Sequence, residues 1–135
     1  MWIGPASVRR AVVAHAKRDR PFECCGLLLG RQGAIAFAVE APNIERTTTR
    51  FHLDPRTHLE WQRRLRDVRP ALAIVGVYHS HPSGAAVPSP SDIAEAHYPD
   101  WLHLIVGVKG RAIAVNGYRI TRRRVLPVHV RWTDT

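Results

Sequence analysis

The chain has 135 residues and a mass of 15.2 kDa, which is room for one domain spanning 1–135 and not for two. At 45% hydrophobic and 23% charged residues it reads as globular rather than disordered. No apolar run approaches the roughly 18 residues of a membrane span. Trp2 and Ile3 give way at once to Gly4 and Pro5, so no apolar signal core is present and the expected location is the cytoplasm. The formal charge is +9, and only Lys17 and Lys109 among the 20 basic residues are lysines. That charge is spread over both halves of the chain, and it suits nucleic acid or an acidic protein partner without choosing between them. Cys24 and Cys25 are the only cysteines. Adjacent cysteines rarely bridge, so the pair implies a reducing compartment and two small buried hydrophobes, or else a thiol beside a catalytic group.

In chain order, Ser7 to Lys17 carries Val8, Ala11, Val12 and His15 at helical spacing, with Ser7 able to cap the helix. Gly26 to Gly30 is a short apolar run suited to a buried strand, and Ala34 to Val39 pairs with it across the Arg31-Gln32-Gly33 turn. Asn43 to Arg50 is polar and reads as a loop. A second helix opens at Asp54-Pro55, with Asp54 as cap and Pro55 in its first position, and runs to about Asp67. Its Arg63, Arg64 and Arg66 form a solvated face. Ala71 to Tyr78 is β-branched and apolar, hence a central strand. Ser91 to His97 reads as a short helix, and Leu102 to Val108 and Ala112 to Tyr118 as strands about Lys109-Gly110. A last strand, about Arg123 to Val130, contains Pro127 and so belongs at an edge, where a free edge permits a homodimer. The order predicts a mixed α/β sandwich around a central sheet.

The chemistry is concentrated in Val77-Tyr78-His79-Ser80-His81-Pro82 and Ser89-Pro90-Ser91-Asp92. Residues two apart on a strand share a face, so the imidazoles of His79 and His81 point to one spot at the strand's mouth. Asp92, in the first turn of the next helix, can return to that spot. Two imidazoles and one carboxylate form a three-ligand set with a position left for water, the open kind of zinc site. The pattern H-x-H, seven residues, S-x-x-D arises by chance in about one chain in a thousand of this composition. Taken separately the parts have plainer readings: histidine pairs are commonly surface or satisfied core groups, and Ser89-x-x-Asp92 also reads as a capping box.

The stretch resembles the metal motif of the JAMM (MPN+, JAB domain) metalloproteases, an upstream Glu followed by H-S/T-H, seven residues, S-x-x-D. Pro21-Phe22-Glu23-Cys24-Cys25-Gly26-Leu27-Leu28-Leu29-Gly30 is similar to the family segment in which the catalytic Glu precedes a Gly-Leu-Leu-x-Gly strand. The likeness runs from the first helix to about Tyr118 and is strongest to the short stand-alone bacterial and archaeal members. It implies a deaminase-like α/β sandwich and one zinc per chain held by His79, His81 and Asp92. It implies Glu23 as general base and then acid, and Ser89 as donor to the tetrahedral oxyanion. Ser80 points to the opposite face and has no assigned role, and His97 and His103 are expected to be structural.

The resemblance further implies cleavage of an amide or isopeptide bond after the C-terminal Gly-Gly of a ubiquitin-like protein. The short chain favours a sulfur-carrier protein as substrate, with a link to cysteine biosynthesis, and a basic surface suits an acidic carrier. The alternatives are a small-peptide or amide zinc hydrolase on the same scaffold, a non-enzymatic scaffold module, and a nucleic-acid-binding domain. The last lacks an RNA-binding signature or a basic helix with interleaved aromatics.

Overall fold

The computed structural model describes residues 1–45 and 47–135; position 46, within the expected 43–50 loop, lies outside the described residues. Eight strands and three helices follow in the order β1 (Trp2–Pro5), α1 (Ala6–Asp19), β2 (Cys25–Arg31), β3 (Ala34–Ala41), α2 (Pro55–Leu65), β4 (Ala73–His81), α3 (Pro90–Ala94), β5 (Leu102–Lys109), β6 (Ala112–Thr121), β7 (Arg124–Val128) and β8 (Val130–Thr133). The sheet order is β7-β6-β5-β4-β2-β3-β1-β8. Strands β4 and β5 are parallel at its centre, and β2 runs antiparallel to β4.

Alternation along the central strands sorts the side chains onto two faces. Leu28, Tyr78, Leu104 and Val106 join Val8, Val12 and Ala16 of α1 in the main core. The hydroxyl of Tyr78 lies 2.7 Å from Nδ1 of His15, a buried polar contact between this helix and the middle of the sheet. On the other face Leu27, Val77 and His79 lie beneath α2 and the segment that follows α3. The mixed α/β sandwich is therefore present. Among the described residues no helix is long and apolar enough to cross a membrane.

Several boundaries differ from the sequence reading, each for a local reason. Ser7 does not cap α1: the helix begins at Ala6, directly out of β1, with Pro5 at the cap position and no side-chain cap bond. The Ser7 N–H instead donates to the Thr135 carbonyl at 3.2 Å. Strand β1 itself escaped notice because Trp-Ile-Gly-Pro has no readable period, and its partner is the distant β8, paired in parallel from Trp2↔Val130 to Pro5↔Thr133. The expected strand over Arg123–Val130 is two strands. Pro127 lacks an N–H for the ladder, β7 stops at Val128, and the His129 carbonyl accepts from the Trp2 N–H at 2.8 Å. The chain thereby leaves β6 and joins β1, so two consecutive strands occupy opposite ends of the sheet order. Asp54 caps α2 as expected, accepting from the Arg56 N–H, with Pro55 in the first position, and Arg63, Arg64 and Arg66 are exposed.

Gly26 is required where β2 passes beneath Tyr78. A Cβ there would lie 2.2 Å from a Tyr78 ring carbon and 2.3 Å from the Val39 carbonyl oxygen. Gly26→Ala is expected to lower stability by about 2 kcal/mol, read as an earlier midpoint in urea denaturation.

Candidate active site

Strand β4 ends by presenting His79 and His81 on one face, and the loop from Pro82 returns the chain so that α3 brings Asp92 over them. Nε2 of His79 lies 3.0 Å from Asp92 Oδ2, Nε2 of His81 lies 3.2 Å from the same oxygen, and the two nitrogens are 3.3 Å apart. Glu23, His79 and His81 each offer a ligand atom within 4.8 Å of the others. All five residues singled out in the sequence thus lie at one end of the sheet: Glu23 and Asp92 each meet the two imidazoles, and Ser89 joins through Asp92.

Ser89 and Asp92 form a reciprocal capping box. The Asp92 N–H donates to Ser89 Oγ at 3.1 Å, and the Ser89 N–H donates to Asp92 Oδ2 at 2.9 Å. The plain reading of this pair is therefore correct, and it serves the cluster by fixing the carboxylate that faces the imidazoles. Helix α3 covers Pro90–Ala94 rather than Ser91–His97. His97 is exposed at the rim of the site and not a buried structural group.

Sequence reading missed the supports. Ser80 faces away from the cluster, as expected, but has a task there: its Oγ accepts from the Cys24 N–H at 2.9 Å, and its own N–H donates to the Cys24 carbonyl at 3.1 Å. The histidine strand is thereby bolted to the residue after Glu23. The polar loop holds Glu23 from the other side. The Glu23 N–H donates to the Thr47 carbonyl at 3.0 Å, and Asn43 Nδ2 donates to the Glu23 carbonyl at 2.9 Å. Phe51 stacks on the His79 ring, with centroids 4.3 Å apart. Nδ1 of His81 donates to the Ala85 carbonyl at 2.8 Å. Only the capping box carried a signal in sequence; these other partners lie far from the motif or contribute backbone atoms.

The electrostatics are those of a crowded, partly desolvated site. Burial pushes the Glu23 carboxyl up to about 7, against the pull of His81, and its Oε1 has no hydrogen-bond partner. Burial opposes ionisation of Asp92 too, but contacts with His79 and His81 outweigh it and hold that carboxyl well below the usual range. Burial lowers His79. It also works against His81, which the Asp92 and Ala85 contacts nevertheless raise. Cys24 and Cys25 are free and buried, and burial pushes their thiols up to about 11 and about 12; they pack as apolar groups and are not thiolates at neutral pH.

The donor set fits a divalent cation of the zinc type. A carbonyl can only accept, so Nδ1 of His81 carries the proton and its Nε2, when the ring is neutral, presents a bare lone pair toward a carboxylate oxygen. His79 Nε2 and the unpartnered Glu23 Oε1 add further acceptor capacity. A cation relieves that crowding, and nitrogen with carboxylate oxygen is a ligand mixture zinc accepts.

Beside the cluster a cavity of about 480 Å³ opens between α2 and residues 95–101. Tyr98 and Trp101 stack along it, centroids 4.0 Å apart, and His103 lines it.

With this geometry in place, the family described as prokaryotic homologs of the JAB domain matches residues 5–124. The chain belongs to that family. The match runs a few residues beyond the Tyr118 limit read from the sequence. The CysO-cysteine peptidase of Mycobacterium tuberculosis is 35% identical over 106 residues, covering 77% of this chain and 71% of the relative. The desampylase of Haloferax volcanii is 30% identical over 116 residues, covering 81% and 82%. Among solved structures, protein DSY2949 of Desulfitobacterium hafniense superposes with a TM-score of 0.89 at 24% identity, covering 100% of this chain and 94% of that one; this likeness establishes the fold. By its family and the peptidase activities its relatives are named for, the chain is an enzyme of the hydrolase class.

His103 gives the fold a testable acid sensitivity. Burial, aided by nearby His79, pushes its imidazole down to about 4 from an ordinary 6.5. The unfolded chain therefore binds a proton that the folded one refuses. This contribution to stability is full above about pH 6.5 and is lost as pH falls through about 4. His103→Leu is expected to flatten the fall in unfolding free energy between pH 7 and pH 4 by about 3 kcal/mol, measured by chemical denaturation at stepped pH.

Proposed function

We propose that the chain is a zinc-dependent peptidase cleaving the amide or isopeptide bond after the C-terminal Gly-Gly of a ubiquitin-like sulfur-carrier protein. His79, His81 and Asp92 hold the metal, Glu23 moves the proton, and Ser89 donates to the developing oxyanion. The observation that carries the reading is the convergence of His79 Nε2, His81 Nε2 and Asp92 Oδ2, with separations of 3.0, 3.2 and 3.3 Å and no bulky group between them. When bound, zinc supplies a Lewis acid that lets water react as a nucleophile near neutral pH.

The remaining chemistry falls to the chain's own residues. Glu23 stands at the cluster with Oε1 unpaired and its carboxyl raised to about 7. A carboxylate so placed can take a proton from the attacking water and give it to the leaving amine. Ties to Thr47, Asn43 and, through Cys24, Ser80 fix the main chain from which the carboxylate projects. The Ser89 oxygen accepts from the Asp92 N–H, which leaves its hydroxyl hydrogen free to donate to the substrate carbonyl as charge builds there.

The substrate class is supported by the relatives: one is named for CysO-cysteine, one for desampylation, and a Thermus thermophilus protein, 35% identical over 70% of this chain, as a probable TtuB-protein conjugate cleaving protease. A slender Gly-Gly tail fits an extended path past the ligands, and the +9 charge suits an acidic carrier.

Purified protein is expected to hold one zinc per chain by elemental analysis, and His79→Ala, His81→Ala and Asp92→Ala each to lose most of it. Full retention in all three variants would remove the assignment. Glu23→Gln is expected to keep the metal while slowing release of cysteine from a carrier ending in Gly-Gly-Cys by about 10²- to 10⁴-fold; wild-type turnover in that variant would place the proton carrier elsewhere. Ser89→Ala is expected to cost about 1 kcal/mol of stability through the lost cap and about 10²-fold in kcat. Loss of stability with an unchanged kcat would leave Ser89 a helix cap alone.

A further inference from the structure

We infer that the cavity beside the ligand cluster is a side-chain subsite with His103 as its specificity-determining residue. It takes a bulky, uncharged substrate side chain that carries one hydrogen-bonding group at its far end, as tyrosine does. The inference rests on the peptidase reading above and extends it to what flanks the scissile bond.

Leu27, Val77 and His103 stand at one level of the sheet, since Leu27 pairs with Val77 and Val77 with His103. That level is two residues before His79 on the same strand face, so the cavity runs inward from the reacting end. At about 480 Å³ it accepts a ring and its stem but not a folded domain. Its wall is the Tyr98–Trp101 stack with His58, whose ring lies 5.4 Å from Trp101. These are flat surfaces against which an aromatic ring packs well.

His103, one of the residues lining this pocket, carries an unmatched polar atom. His103 is 7% exposed, and its Nε2 is enclosed with no hydrogen-bond partner. The residues beside it offer none. Leu27 and Val77 are apolar, and the hydroxyl of Tyr118, which is paired with His103 across β5 and β6, donates to the Ala86 carbonyl at 2.6 Å. An enclosed imidazole nitrogen without a partner is costly, and a turn of the ring that presents it to one polar group of a ligand in the pocket recovers that cost. Charge narrows the ligand further. No lysine or arginine lines the cavity among the described residues, so an acidic side chain finds no basic partner there. A basic one would bury its charge among apolar walls.

The probes are N-acetyltyrosinamide and N-acetylphenylalaninamide, titrated into the zinc-loaded protein and followed by the imidazole NMR signals of His103. The tyrosine probe is expected to bind about five- to tenfold more tightly than the phenylalanine probe, a difference of one hydrogen bond, and to move those signals. In His103→Leu the phenylalanine probe should still bind and the preference fall to about one. Equal binding of the two probes to wild type, a preference that survives in His103→Leu, or His103 signals unmoved by either probe would overturn the inference. Carriers with tyrosine before the Gly-Gly, or as the leaving residue, separate the two sources of the side chain; the matching one should show a lower KM in wild type only. If no Gly-Gly carrier is cleaved while the probe preference holds, the peptidase reading fails and the subsite stands. Cleavage without any preference discards the subsite alone.

Discussion

The site is organised around a convergence of two imidazoles and a carboxylate that the folded backbone imposes. Two imidazole nitrogens and a carboxylate oxygen are brought to within 3.3 Å of one another, in a setting where His79 is almost wholly enclosed. The Ala85 carbonyl fixes the proton of His81 on Nδ1, so that ring cannot turn a proton inward without becoming charged. A proton or a metal cation holds such a set together, and the rigidity of the surroundings keeps the three groups from parting.

That rigidity has identifiable sources. Parallel pairing of β4 with β5 and antiparallel pairing with β2 hold the histidine strand on both sides. The reciprocal bonds between Ser80 and Cys24 then lock the strand's last residues to the segment bearing Glu23. One strand supplies two functions by alternation: odd residues face the chemistry, while Tyr78 and Ser80 face the core and secure the position of their neighbours. A small domain can build a precise site in this way because the ligands and their supports are the same stretch of chain.

Much of this was legible in the sequence, and the parts that were not share a cause. Asp54-Pro55, Gly26–Gly30 and the alternation around His79 are local signals, and each gave the right element near its observed bounds. The resemblance supplied Glu23, whose isolated signal was only its place before a buried strand. Strand β1 and the split at His129 were invisible because the ladder that defines them joins β1 to β8, more than a hundred residues apart. The loop over 43–50 read as merely polar, yet Asn43 and Thr47 grip the backbone of Glu23. Such contacts use main-chain atoms, and composition carries no trace of which carbonyl a side chain will find. Ser7 shows the opposite error, a good local cap overruled when β1 ran straight into the helix.

The pairing of β1 with β8 has a consequence for how the molecule is made. Strand β1 meets β3 at a single register position, Ile3↔Ala34, but meets β8 along its whole length. Strand β1 therefore depends for most of its ladder on a segment more than a hundred positions away along the chain. Contacts of such sequence separation close late, so this seam of the sheet is clasped after the hairpin pairings of β2 with β3 and of β5 with β6.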